Sequence, residues 1–261
     1  MTRSGASLPL SRRERRELAR REQPPKRTRA RRSNPRPAWQ SPMAIVTGLA
    51  VLLGIVLVAI ATRPPTAPAL NLVSGPTTYP ADLTDGTSLG SPNTPVVIDL
   101  YADFQCPACQ QFVTMELPQL VTDYVKPGIV RIQAHDLDIL GRGSPDESLE
   151  LAAGGFCAAQ QDRYWQYHDL VFWNQGPENR GVHNAAFIAA VADQAGVDPA
   201  AWQACFARTD IRAPIVSATR ASGVTATPTL RINGQQLVGV PAYADLVALI
   251  ERLAAASPNP S

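Results

Sequence analysis

Twenty consecutive residues, Met43 to Thr62, carry no charged side chain, and this run divides the chain into unlike parts. At about 1.5 Å of rise per residue, a helix of that length spans roughly the 30 Å hydrocarbon core of a bilayer. Such a helix also satisfies its own backbone amides, as lipid requires. Residues 1–42 hold 13 Arg and Lys against three Glu, a net of +10, whereas the rest of the chain holds 11 basic and 19 acidic residues, a net of −8. The formal charge of +2 over 261 residues is therefore an average over two different objects.

The basic side contains Arg12, Arg13, Arg15, Arg16, Arg31 and Arg32 and six prolines, and it reads as a disordered cytoplasmic arm. Its charge could meet anionic headgroups or nucleic acid, but a topology signal suffices, and no nucleic-acid partner is expected. The positive-inside rule places the arm in the cytoplasm and everything after Arg63 outside, in a single-pass membrane protein held by one transmembrane helix at 43–62. Ala59-Ile60-Ala61 fits a signal-peptidase site. The apolar run nevertheless exceeds the usual ~7–15 residues of a signal peptide, which favours an uncleaved signal-anchor. Arg15-Arg16 lies too far upstream for a twin-arginine signal. A buried helix of a soluble domain would leave a basic arm and a proline-rich tail around a single core helix, an awkward arrangement.

Residues 63–82 are rich in Pro, Thr and Ala and read as a semi-extended linker. Residues 83–257 then suit one domain. Thr94 to Tyr101 is a β-branched strand, and 106–124 has helical spacing with a kink expected at Pro118. A second strand is expected at 128–134, followed by helices around 146–173, 184–195, 198–207 and 210–222. Thr229 to Asn233 and Gln236 to Val240 form a hairpin about Asn233-Gly234, and an amphipathic helix at 243–255 closes the domain. This order predicts an α/β fold interrupted by an all-helical insert at about 144–222.

Cys106-Pro107-Ala108-Cys109 directly follows the first strand and opens a helix. Free amides and the positive dipole end at a helix N-terminus stabilise a thiolate. Pro107 is tolerated there because no amide donor is needed. Cys106 is expected to be the exposed nucleophile, and Cys109, one turn inward, the shielded resolving thiol. A purely structural disulfide rarely closes so tight a loop at such a junction. A zinc site would need a second Cys pair or His spacing that the chain does not offer, so no metal is expected.

The run Asp103 to Cys109 resembles the active-site segment of DsbA-like thioredoxin-fold oxidoreductases. Leu89 to Val96 resembles the family's lead-in, and Tyr164 to Leu170 its helical insert. Gly223-Val224-Thr225-Ala226-Thr227-Pro228-Thr229 is similar to its cis-proline loop. The resemblance spans about 85–256. It implies a thioredoxin fold, a cis peptide at Thr227-Pro228 beside the reactive sulfur, and a strand edge at Thr227 for an extended substrate. It further implies a protein-disulfide oxidoreductase acting on exported proteins with thiols. A membrane partner of the DsbB or vitamin K epoxide reductase type would reoxidise it, and no cofactor is called for. Cys157 and Cys205 are then expected to form a structural disulfide between insert helices, with a second redox pair or two free thiols as alternatives.

The sequence departs from the family in two places. Many members carry an acid six positions before the first active-site Cys, where this chain has Leu100; Asp99 lies one residue earlier, on the opposite face of the strand. Where other members have His between the cysteines, Ala108 offers no donor, which implies a less depressed Cys106 pKa and a milder oxidant. His168 reads as a packed histidine, His135 and His183 carry no signal, and Trp165, Phe172 and Trp173 read as insert core. The alternatives for the whole chain are a reductase running the same couple in reverse, or a peptide-binding module without turnover. An isomerase is disfavoured because no dimerisation domain precedes the redox domain.

Overall fold

The computed structural model describes residues 13, 16, 42–61 and 70–257. Most of the basic arm at 1–42 and residues 62–69 of the linker lie outside that set. The chain forms two compact units, Met1–Pro65 and Thr66–Ser261. In the first, helix α1 is Pro42–Ala61, and Val46, Leu49, Val51, Leu52, Leu53 and Ile55 are exposed along it. Among the described residues no helix is long and apolar enough to cross a membrane.

The second unit is built on a six-stranded sheet. Its strands are β1 (Thr84–Asp85), β2 (Ser88–Leu89), β3 (Val96–Ala102), β4 (Val130–Asp136), β5 (Thr229–Ile232) and β6 (Gln235–Val238), in the order β1-β2-β4-β3-β5-β6. β3 and β4 are parallel, and every other pairing is antiparallel. A helical run at 107–125, α2, makes the crossover between the two parallel strands. α2 is α-helical at Pro107–Gln111 and Leu117–Leu120 and π-wound at Phe112–Glu116 and Val121–Val125. Pro118, which lacks an amide hydrogen, sits between the two π segments, so the expected disturbance is spread along the helix.

Alternation along β3 buries Val96, Ile98, Leu100 and Ala102 on one face and leaves Val97, Asp99 and Tyr101 half-buried on the other. β4 buries Val130, Ile132 and Ala134 in register with them. These residues join Phe112, Leu117, Leu120, Val121 and Val125 of α2, and Leu246 and Ile250 of the C-terminal helix α8 (Tyr243–Ala256), in one core. The hairpin turns at Asn233 and Gly234 with φ of 45° and 85°, the left-handed pair that a two-residue turn requires.

Five helices lie between β4 and β5: α3 (Glu147–Ala159), α4 (Tyr164–Trp173), α5 (Ala185–Gln194), α6 (Pro199–Phe206) and α7 (Arg212–Ser222). Side-chain caps start three of them. Asp146, Asn184 and Asp198 accept from the free amides of Leu149, of Ala186 and Phe187, and of Ala201. The single stretch expected at 146–173 is two helices, because Asp162 adopts a φ of 55° and breaks the run. β1 and β2 were not anticipated, since two-residue strands carry no periodicity.

The described part of the linker is docked on the insert and does not stand free. Asn174 accepts from the Val73 amide at 2.7 Å and donates to the Val73 carbonyl at 2.8 Å. Tyr79 donates to Asp169 at 2.6 Å, and Leu72 and Tyr79 pack against the core. Two-way pairing to one side chain plus an aromatic anchor gives this segment a fixed course, which its proline content did not reveal.

Candidate active site

The reactive segment sits where β3 ends. Cys106 is the N-cap of α2, with extended backbone (φ −75°, ψ 119°) and Pro107 in the first turn. Its sulfur therefore faces the amides that the helix start leaves free. The cis Thr227-Pro228 peptide lies in a second loop alongside, and the Cys106 sulfur sits 3.2 Å from the Thr227 carbonyl oxygen, to which it donates when protonated. Cys106, Pro107, Ala108, Cys109, Thr227 and Pro228 thus meet at one place, although 121 residues separate Cys106 from Thr227. Both sulfurs are reduced in this structure.

The two thiols are electrostatically unlike. The Cys106 pKa is pushed down to about 6, first by the Cys109 thiol donating to it, then by the Thr227 side-chain hydroxyl and by the Cys109 and Ala108 amides, while burial opposes the shift. Burial, together with the hydrogen bond and charge of Cys106, pushes Cys109 well above the ordinary thiol range. Cys106 is therefore the thiolate and Cys109 its proton donor. One expectation needs correcting: Cys106 is not openly exposed, because 6% of it is accessible against 1% of Cys109. The Thr227 carbonyl lies against its sulfur, and the two cysteines differ in charge more than in access.

Cys157 on α3 and Cys205 on α6 are joined, with an S–S distance of 2.01 Å across 48 residues. Asp99 lies on the half-buried face of β3 and meets His135 at 2.9 Å, away from the Leu100 face. His168 is fully buried among Phe104, Tyr164, Trp165 and Phe172, and neither ring nitrogen has a hydrogen-bond partner. Trp165 donates to the Ser88 carbonyl, and Phe172 packs on Phe104. Trp173 is half-buried beside Gly75. Among the described residues no group of three or more His, Cys, Asp or Glu is placed to hold a metal ion.

Sequence reasoning missed the residues that hold the reactive loop. Gln175 donates to the carbonyls of Phe104 and Cys106 at 2.6 and 3.2 Å. Gln105 is fully buried and bonds Ser148 and Asn179. Glu147 accepts from the amides of Gly181 and His183 and meets the His183 ring at 2.9 Å, which fixes the far end of the 174–183 loop. Gln175 and Asn179 lie in a stretch without periodicity, so no pattern marked them. Asp103 and Gln105 stood inside the motif, and two polar residues flanking Phe104 directly after a buried strand were the available signal.

The sequence profile of the thioredoxin family matches residues 83–252. A curated relative, "Probable disulfide bond formation protein D" of Bacillus cereus, is 33% identical over 89 residues, covering 34% of this chain. The matched stretch spans only 40% of that relative's length. Among solved structures, oxidised BdbD from Bacillus subtilis superposes with a TM-score of 0.58 at 19% identity, covering 71% of this chain and 100% of that one. Oxidised Mtb DsbA superposes with a TM-score of 0.53 at 25% identity, covering 67% of this chain and 93% of the other.

Proposed function

The chain belongs to the thioredoxin family, and from that premise we propose that it is an extracytoplasmic thiol–disulfide oxidoreductase that introduces disulfides into exported proteins. The observation that carries this reading is the Cys106 sulfur at the start of α2, beside cis-Pro228, with its pKa pushed down to about 6. Most of such a thiol is thiolate at pH 7, which stabilises the dithiol form and makes Cys106 a good leaving group. Both effects drive electrons from client to enzyme.

In the oxidised enzyme, a client thiolate attacks the Cys106 sulfur and the Cys106–Cys109 bond breaks. Cys109 departs with the electron pair and takes up a proton, as its raised pKa favours. A second client thiolate then attacks the client sulfur of the mixed disulfide and expels the Cys106 thiolate. Two electrons have passed from two client thiols to the Cys pair, and the client holds a disulfide. The Thr227 loop offers backbone for pairing with an extended client segment.

Reoxidation returns the two electrons to a membrane partner, of the DsbB or vitamin K epoxide reductase type that the family resemblance implies. The same reading anchors the chain through 43–62 and places the redox domain outside the cytoplasm. Its supports are the charge split across that run and the Cys157–Cys205 disulfide, a bond typical of oxidising compartments. Mixing the oxidised enzyme with a reduced, unfolded two-cysteine client provides the test. One client disulfide should form per enzyme, and Cys106→Ser should abolish it. Reduced Cys109→Ser mixed with a disulfide-bonded client should accumulate a mixed disulfide, as Cys106 attacks the client disulfide and expels a client thiolate. Net reduction of an oxidised client, with no oxidation of the reduced one, would reverse the assignment to a reductase.

A further inference from the structure

Asp103 directly follows β3, three residues before Cys106, and is fully buried. No Lys or Arg pairs with it among the described residues; four neutral donors surround it. One oxygen accepts from the Gln105 amide at 2.9 Å and the Ser148 hydroxyl at 2.7 Å. The other accepts from the amides of Ile139 and Leu140 at 2.9 and 2.8 Å. Its backbone is engaged as well: the Cys106 amide donates to the Asp103 carbonyl at 2.9 Å, and the Asp103 backbone hydrogen-bonds the Cys109 sulfur. One residue therefore joins the reactive loop, the loop after β4, the N-terminus of α3, the Cys106 amide and the Cys109 sulfur.

We propose that Asp103 is the positioning residue of this redox centre, fixing the turn from β3 into α2 so that the Cys106 sulfur is held over the helix's free amides. Ser148 extends the device, since it donates to Asp103 and accepts from Gln105 at 2.8 Å. Through these bonds the helical insert sets the geometry of a thiol that it does not touch. The charge of Asp103 acts on Asp136, Asp138 and His183 but is not a cause of either thiol's shift. Its influence on Cys106 therefore runs through orientation. This inference rests on the redox reading of the Cys pair, but its test needs no client protein.

Substituting Asp103→Asn leaves an NH2 group facing two donors on one side, so the turn loses its anchor. The Cys106 thiolate is titrated by its ultraviolet absorbance and by its alkylation rate with iodoacetamide from pH 4 to 9, in reduced full-length protein. The variant should titrate about one unit higher than wild type, with alkylation at pH 6 slowed about fivefold. Ser148→Ala, which touches neither sulfur, should shift the midpoint the same way by less, and it decides the matter if Asp103→Asn does not fold. Natively folded variants with an unchanged midpoint would overturn the proposal, leaving Asp103 a structural staple. A lowered midpoint would also overturn it, because that is the sign of removing a negative charge from beside a thiolate. A failure to oxidise clients in wild type would refute the functional reading without moving these titrations.

Discussion

Acidifying the reduced protein should remove stability that the Cys106 thiolate supplies. Folding moves this pKa from an ordinary 9.0 to about 6. Because the folded value is the lower one, the gain is complete above pH 9 and is lost as pH falls through 6. The full three-unit gap corresponds to about 4 kcal/mol, at 1.36 kcal/mol per unit, but only the part between pH 6 and the working pH is realised. That part is close to zero at pH 5, about 1.4 kcal/mol at pH 7 and about 2.7 kcal/mol at pH 8. The sulfur lies near the surface, and solvent screening would bring these figures down toward half. Denaturant unfolding of reduced wild type and Cys106→Ala at pH 5, 7 and 8 isolates the effect, since other titrating groups are common to both. The stability difference should grow by about 0.7–1.4 kcal/mol from pH 5 to 7, and by about as much again to pH 8. Cys109, pushed upward, does not titrate in this window. A difference that stays flat or shrinks as pH rises would refute the claim that the fold stabilises the thiolate.

Placing a donor between the cysteines should strengthen the same effect: Ala108→His should lower the Cys106 midpoint and raise the reduction potential, and equal titrations would sink the idea. Breaking the 48-residue loop closed by Cys157 and Cys205 with a double Ser substitution should cost about 2–4 kcal/mol in denaturant unfolding, with the Cys106 midpoint unchanged. Gly154 packs so closely under Tyr167 that an added Cβ would collide with its hydroxyl. Gly154→Ala should therefore destabilise by about 1–3 kcal/mol, and a thermal midpoint equal to wild type would contradict that packing.

The α/β order and the helical insert were legible because each rests on a local regularity. β3 alternates, α2 opens on a proline in its first turn, and the hairpin turns on Asn233-Gly234. The meeting of the C-P-A-C segment with Thr227-Pro228 was legible only through the family resemblance, as nothing local ties residues 121 apart. What stayed hidden is polar and non-local. Gln175 and Asn179 act through single hydrogen bonds from an irregular loop, and such bonds leave no periodicity. The docking of 70–82 escaped because its prolines describe local stiffness, whereas Asn174 and Asp169 of the insert decide where it lies. The near-burial of Cys106 escaped because accessibility depends on neighbours remote in sequence, the Thr227 loop among them.

The reduction potential of the Cys106–Cys109 couple, measured against glutathione at pH 7, tests the central claim most directly. A depressed Cys106 stabilises the dithiol, so the couple should lie above about −210 mV, and the absence of a His at 108 should keep it below about −120 mV. A value at or below about −250 mV, where thioredoxin-like reductants operate, would contradict the assignment as a disulfide donor.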